Sequence, residues 1–375
     1  MIYLDYSATT PPDKRVLSTF NKVCTEYPGN SNSLHKLGME SKELEDYATN
    51  QIGKLLGLKN SEIIYTSGAS ESNNHIIKGV CSKYKNRGNH IITTYLEHSS
   101  ILSTVNYLST QGFNVDYVKI KDDGTIDLDH LKQLLTNDTI LVSISAVDSE
   151  LGITQPLKEI SNIIKEYPKC YFHVDCTQAL GKIPLDFNLM DFASASAHKI
   201  YGLKGIGLLI KKKNIMLDNL IHGGKSSTTY RSGTPALPLI VSTMKALDLI
   251  MPNIKENYNY IEGLNKIIIT NLKEYKDISI NSTTNSIPHT INISLNNIKP
   301  ETFIHAMDEH NIYISTKSAC SSTNTMSDSV YAVTKDREKA MKSIRISLSH
   351  LTTKEEVETF LKVFKLSYDK LNLKG

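Results

Sequence analysis

No Cys-x-x-Cys pair occurs in this chain, whose five cysteines are scattered and odd in number. That argues against both a structural zinc site and a disulfide framework, and for reduced thiols. No window approaches the ~20 apolar residues of a membrane span. The start, Met1-Ile2-Tyr3-Leu4-Asp5-Tyr6, has no basic region followed by an apolar stretch. Dense runs of lysine and arginine are missing too. The net charge of +3 is a near balance of 42 basic and 39 acidic residues, and Lys211-Lys212-Lys213 is short enough to be a solvated turn. Direct nucleic-acid and membrane partners are therefore not expected, and the chain reads as cytoplasmic. There is no internal repeat.

The 375 residues, 40% of them hydrophobic, suffice for one large domain and a smaller companion. Short β-branched runs at 62–65, 90–94, 115–120, 140–145, 170–174, 192–196 and 206–210 alternate with helix-length amphipathic segments such as 74–84 and 156–166. This alternation predicts an α/β fold: a large domain with a mostly parallel seven-stranded sheet flanked by helices. A long helical stretch at 240–275 follows. Strands near 278–281, 289–295, 312–316 and 343–348, with helices near 300–310 and 353–372, then predict a smaller α/β domain with a partly antiparallel sheet. The expected division is 13–254 for the large domain, with 1–12 and 255–375 forming the small one.

Ligands on such sheets bind at the carboxyl ends of the strands. Asp175 closes the apolar run Phe172-His173-Val174, and Lys199 follows the next run within Ala193-Ser194-Ala195-Ser196-Ala197-His198-Lys199. An acid at one strand end and a lysine past the next is what a pyridoxal 5'-phosphate site requires. The carboxylate keeps the pyridine nitrogen protonated, and the amine carries the cofactor as a Schiff base. Thr66-Ser67-Gly68-Ala69-Ser70-Glu71-Ser72 joins a strand to a helix. It reads either as an ordinary helix cap or, given an expected cofactor phosphate, as its cradle.

His98, just past a strand, suits stacking on a pyridine face and proton traffic. Gln178, three residues past Asp175, is placed to bond the cofactor's phenolic oxygen. Arg345 alternates out of the apolar strand around 343–348. It suits a bidentate grip on a substrate carboxylate, against the plainer reading of an edge arginine facing solvent. Cys320 lies in Thr316-Lys317-Ser318-Ala319-Cys320-Ser321-Ser322-Thr323, too polar to pack, which predicts a mobile loop over about 316–328. An exposed thiol beside Lys317 can act as a thiolate, whereas Cys24, Cys81, Cys170 and Cys176 read as packing residues.

Taken in order, these segments resemble the NifS/IscS cysteine desulfurases of the class-V aminotransferase group, fold-type I pyridoxal phosphate enzymes. The resemblance runs from Leu4-Asp5-Tyr6-Ser7-Ala8-Thr9-Thr10-Pro11 through Glu97-His98 and Arg231-Ser232-Gly233-Thr234 to Ser343-Ile344-Arg345. It implies that Lys199 holds the cofactor and that Asp175, His98 and Gln178 contact its ring. By the same resemblance Ala69, Ser70, Ser196 and His198 bind its phosphate. Thr234 reaches the phosphate of a neighbouring subunit, which implies a homodimer. Arg345 binds the L-cysteine carboxylate, and Cys320 takes the sulfur as a persulfide for a sulfur-acceptor protein.

The chain departs from the pattern at Asp148-Ser149, where many relatives have Asn-Asn. Ser149 is shorter than asparagine at a cofactor-binding position, which shifts the phenolic contact onto Gln178. The chain stops at Gly375, without the extension some members use to dock an iron–sulfur scaffold. Aminotransfer and selenocysteine lysis on the same scaffold are the rival activities, and only Cys320 argues against aminotransfer. A non-catalytic sulfur carrier is the rival of another class. It would have no need of Lys199, Asp175, His98 and Cys320 together.

Overall fold

In the computed structural model, which describes residues 1–224, 226–316 and 326–372, the β-branched runs assemble into one twisted seven-stranded sheet. Across it the strands lie in the order Ser61–Thr66, Gly207–Lys212, Phe192–Ser196, Tyr171–Asp175, Thr139–Ser145, His90–Thr93, Asn114–Tyr117. Gly207–Lys212 runs antiparallel to both its neighbours, and all the other pairings are parallel. Six strands therefore end at the same edge, where the reversed strand begins. Register places Thr66 and Ser196 opposite Gly207, and Ser145 opposite Asp175.

Every residue of Thr139–Ser145 is buried, as a strand covered on both faces requires. Neighbours alternate between two apolar layers. Ile92, Val142 and Leu208 face one core, while Ile91, Leu141 and Leu209 face the other with Ile76, Ile77 and Val105 of the covering helices Ala69–Tyr84 and Ser99–Thr110. Gly207 has a packing reason: a Cβ there would lie 2.5 Å from the carbonyl carbon of Gly68. Only glycine lets the 67–69 turn sit against the sheet edge.

A separate three-stranded sheet is wholly antiparallel, with Thr290–Leu295 between Ile278–Ile280 and Ser343–Ser347. Its core gathers Leu4, Ile268, Ile291, Phe303, Ile344 and Phe360. The expected strand at 312–316 is not one of its three strands and reaches it through a bridge at Ser315. Instead Ile312–Tyr313 pairs in parallel with Ile2–Tyr3, and Ser315 bridges Arg345 through two backbone hydrogen bonds.

The stretch expected as one helix is two, Leu237–Ile250 and Ile254–Leu272, separated by a 3-10 turn at Met251–Asn253. Pro252, which has no N–H to donate, sits at that break. Contrary to the sequence expectation, a window within Leu237–Leu272 is apolar enough to cross a membrane, but half of it is buried inside this fold. The helix Lys36–Leu55 had no clear sequence signal. Its inward face is Gly38, Ser41, Glu45, Ala48 and Ile52, too small and polar to give an apolar period.

Candidate active site

A cleft of about 160 Å³ opens at the shared strand edge. Ten of the predicted site residues line it: Ala69, Ser70, His98, Ser149, Asp175, Gln178, Ser196, His198, Lys199 and Arg345. Thr234 lies in a separate pocket with Tyr65, Ser67 and Arg231. Cys320 and Lys317 lie outside the described residues.

Asp175 ends its strand nearly buried, with a donor on each oxygen. Asn73 Nδ2 bonds Oδ2 at 2.8 Å, and the Thr177 N–H bonds Oδ1 at 2.9 Å. Lys199 closes the 3-10 turn Ala197–Lys199, and its Nζ donates to the carbonyls of Ser7 at 2.5 Å and Ala8 at 2.7 Å. That N-terminal segment is pinned in turn, because the Thr10 N–H donates to the His198 carbonyl at 2.9 Å.

His98 caps the helix Ser99–Thr110. Its Nδ1 accepts from the Ser100 N–H at 3.1 Å and lies 2.9 Å from Ser100 Oγ. The neutral ring thus carries its proton on Nε2. Burial lowers its pKa and Lys199 adds to this, against the opposing pull of Asp175. The helix Ala69–Tyr84 points its first-turn N–H groups at the cleft, and Ser196 Oγ accepts from the Ala69 N–H at 2.7 Å. His198 Nδ1 bonds Thr9 Oγ1 at 3.1 Å, and burial with the Lys199 and Lys204 charges lowers its pKa to about 4.

Arg345 is 1% exposed, which rejects the solvent-facing reading. Its Nη2 pairs with Asp5 Oδ1 at 2.9 Å, and its Nη1 donates to the Ser149 carbonyl at 2.9 Å. Its Nε is buried without a hydrogen-bond partner among the described residues. Gln178 is already engaged: Oε1 accepts from Lys182 at 2.6 Å, and Nε2 donates to the Ser7 carbonyl at 2.9 Å, leaving one amide hydrogen for a ligand. Cys24 departs from its expected packing role. It is exposed on the helix Lys14–Glu26, which buries only Val16 and Val23. None of the described cysteines lines the cleft, although Cys176 lies between the lining residues Asp175 and Thr177, and burial pushes the thiols of Cys81, Cys170 and Cys176 up.

Sequence reasoning missed Asn73, Ser100 and the Ser7 and Ala8 carbonyls. It also missed Glu97, which is buried, accepts from Ser145 and Thr94, and has its carboxyl pushed up to about 7 by burial. The Glu97-His98 pairing was the only local signal for that group.

The donor set of this cleft matches pyridoxal phosphate: a carboxylate at its base, an amine beside it, a neutral imidazole, and a helix N-terminus flanked by hydroxyls. The glycine-dependent contact between Gly68 and Gly207 brings that helix end against the sheet edge. This is the site of a pyridoxal phosphate enzyme of aminotransferase architecture, and a family model described as Aminotransferase class-V matches residues 2–360. The cysteine desulfurase IscS of Buchnera aphidicola subsp. Acyrthosiphon pisum is 38% identical over 99% of this chain and 93% of its own length. A NifS/IcsS protein homolog of Lactobacillus delbrueckii subsp. bulgaricus is 38% identical over 97% and 96%. Among solved structures, a NifS-like protein superposes with a TM-score of 0.92 at 36% identity, covering 97% of this chain and 98% of that one. The NifS-like protein from Rickettsia africae gives 0.88 at 33%, covering 98% and 99%. The chain belongs to the class-V aminotransferase family and, within it, to the pyridoxal phosphate-dependent cysteine desulfurases.

Proposed function

We propose that this enzyme converts L-cysteine to L-alanine, holds the released sulfur as a persulfide on Cys320, and passes it to an acceptor protein serving iron–sulfur cluster assembly or thiolation. The observation that carries the reading is the convergence of Asp175, Lys199, His98 and Arg345 on one cleft. Bound there, pyridoxal phosphate supplies a sink for the electrons released at the substrate Cα.

Arg345 receives the substrate carboxylate through its unpartnered Nε and its remaining Nη hydrogens. Lys199, held at the cleft wall by the Ser7 and Ala8 carbonyls, removes the α-proton. Asp175 would hold the pyridine nitrogen of the bound cofactor, and Gln178 would hold its phenolic oxygen with the remaining amide hydrogen. His98, protonated on Nε2, moves a proton at the substrate. The Cys320 thiolate attacks the substrate sulfur, and the C–S bond breaks with its electron pair left on the carbon side. Cβ takes a proton, and the proton held by Lys199 returns to Cα to complete alanine, with the sulfur left on Cys320 as the persulfide.

The neighbours of the Cys320 segment support this assignment. Before it, Ser315 is hydrogen-bonded to Arg345, and after it Ser327 and Ser329 bond the carboxylates of Glu150 and Asp148, which flank the cleft residue Ser149. From Ser315, five residues reach at most about 17 Å. The family favours a homodimer in which Thr234 completes the partner's phosphate site. The unpaired thiols among the described residues suit a reducing cytoplasm.

The test is a single turnover with limiting L-cysteine. Alanine should form in step with one extra sulfur on the Cys320 peptide. Sulfur on Cys24 instead, or alanine without persulfide, would reject the assignment.

A further inference from the structure

Behind Asp175 lies a chain of buried polar groups running across neighbouring strands. Ser143 Oγ is 2.8 Å from His173 Nδ1, and His173 Nε2 is 3.2 Å from Ser194 Oγ. Ser194 Oγ bonds Asn73 Oδ1, and Asn73 Nδ2 donates to Asp175 Oδ2 at 2.8 Å and to Ser100 Oγ at 2.9 Å. Ser143, His173, Ser194 and Asn73 are all fully buried.

The sense of every bond follows from the chemistry at its end. A carboxylate only accepts, so Asn73 must present its NH₂ to Asp175 and its carbonyl oxygen to Ser194. The single Ser194 hydroxyl proton is then committed to Asn73, and His173 must donate to Ser194 from Nε2. His173 Nδ1 is left to accept from Ser143. Full burial keeps His173 neutral, with its single proton on Nε2. At the other fork, Ser100 Oγ accepts from Asn73, so its own proton goes to His98 Nδ1.

We propose that Asn73 is a positioning residue for the reaction. It fixes the Asp175 carboxylate from behind, and through Ser100 it ties that carboxylate to the imidazole on the other wall of the cleft. The donors supplied by Asn73 and the Thr177 N–H hold the carboxylate in one orientation. Its remaining lone pairs then serve the pyridine nitrogen. The proposal rests on the roles given above to Asp175 and His98.

The test compares full-length holoenzymes carrying Asn73→Ser or Ser194→Ala with wild type. Asn73→Ser should lower kcat about 10- to 100-fold, the scale of one hydrogen bond to a charged group. The KM for cysteine should stay within about twofold, because Arg345 is untouched. The visible cofactor band of the resting enzyme should also move, since its pyridine partner is loosened. Ser194→Ala, which frees the Asn73 amide to turn over, should shift both readouts the same way by less. In ¹⁵N spectra of wild type, His173 should carry its proton on Nε2. An unmoved band with kcat within twofold in Asn73→Ser, or an Nδ1-protonated His173, overturns the proposal. Should Asn73→Ser not fold, Ser194→Ala and the His173 tautomer decide in the same way. Borohydride fixing the cofactor on a lysine other than Lys199 would sink the active-site assignment instead, whatever the Asn73 result.

Discussion

Replacing Asp175 by asparagine tests the electron-sink role, and the structure predicts two separable losses. Each carboxylate oxygen faces a donor, the Asn73 amide on Oδ2 and the Thr177 N–H on Oδ1. An asparagine must turn its own NH₂ toward one of them. Whichever way it turns, a buried donor loses its acceptor, at a cost of about 1–3 kcal/mol in stability. The second loss is catalytic. A neutral amide cannot hold a proton on the pyridine nitrogen, and losing that charge-assisted contact should cost about 10²-fold or more in kcat. Urea unfolding measures the first loss; alanine formation at saturating cysteine, normalised to bound cofactor, measures the second. Turnover near the wild-type rate in an enzyme carrying its full cofactor would refute the role.

Lys199→Ala should abolish the cofactor adduct that borohydride traps in wild type, as read by peptide mass spectrometry; an adduct on Lys204 would show the lysine was misassigned. Cys320→Ser should keep cofactor absorbance and cysteine binding yet stop alanine production, because serine is too weakly acidic to accept sulfur as an anion. Arg345→Lys should raise KM for cysteine about tenfold or more while leaving the cofactor band in place, since a point charge cannot reproduce the fork of a guanidinium. Burial lowers the His173 pKa from 6.5 to about 4. As pH falls through that window, the unfolded chain takes a proton the folded one refuses, so stability falls. Glu97, pushed up to about 7, acts in the opposite sense. His173→Gln should therefore lose less stability on acidification than wild type, and an unchanged difference in urea unfolding would count against it.

The legible part of the site was local. Asp175 closes one short apolar run and Lys199 follows the next, and a parallel sheet brings such ends together without any further instruction. Arg345 was harder to read, because strand alternation says only that it leaves the apolar face. What keeps it inside is Asp5, 340 residues away. Asn73 was invisible for a related reason. In sequence it is one polar residue in a helix's first turns, and only its bonds to Asp175 and Ser194, 102 and 121 residues on, mark it. The helix Lys36–Leu55 escaped because it buries glycine, serine and glutamate instead of leucines. The exposure of Cys24 follows from helix geometry, since it falls about 100° around from the buried Val23.

The Ser7 and Ala8 carbonyls that hold Lys199 have a consequence for how the enzyme is made. Their segment is anchored by residues far along the chain: the Ser7 N–H bonds Ser347 Oγ across 340 residues, and Ile2–Tyr3 pairs with Ile312–Tyr313. On the ribosome, residues 7 and 8 emerge early; their contacts with Gln178 and the His198 turn can form with the large sheet, but their anchoring is completed only when Ser347 has followed. The large sheet has all its strands by Lys212, so it can collapse well before then, with the Ser7 and Ala8 carbonyls beside Lys199 not yet fixed from the small sheet. Firm cofactor capture on a nascent chain should therefore lag behind folding of the sheet until translation is almost complete. A stalled chain ending before Ile312 should hold pyridoxal phosphate less firmly than the full-length chain.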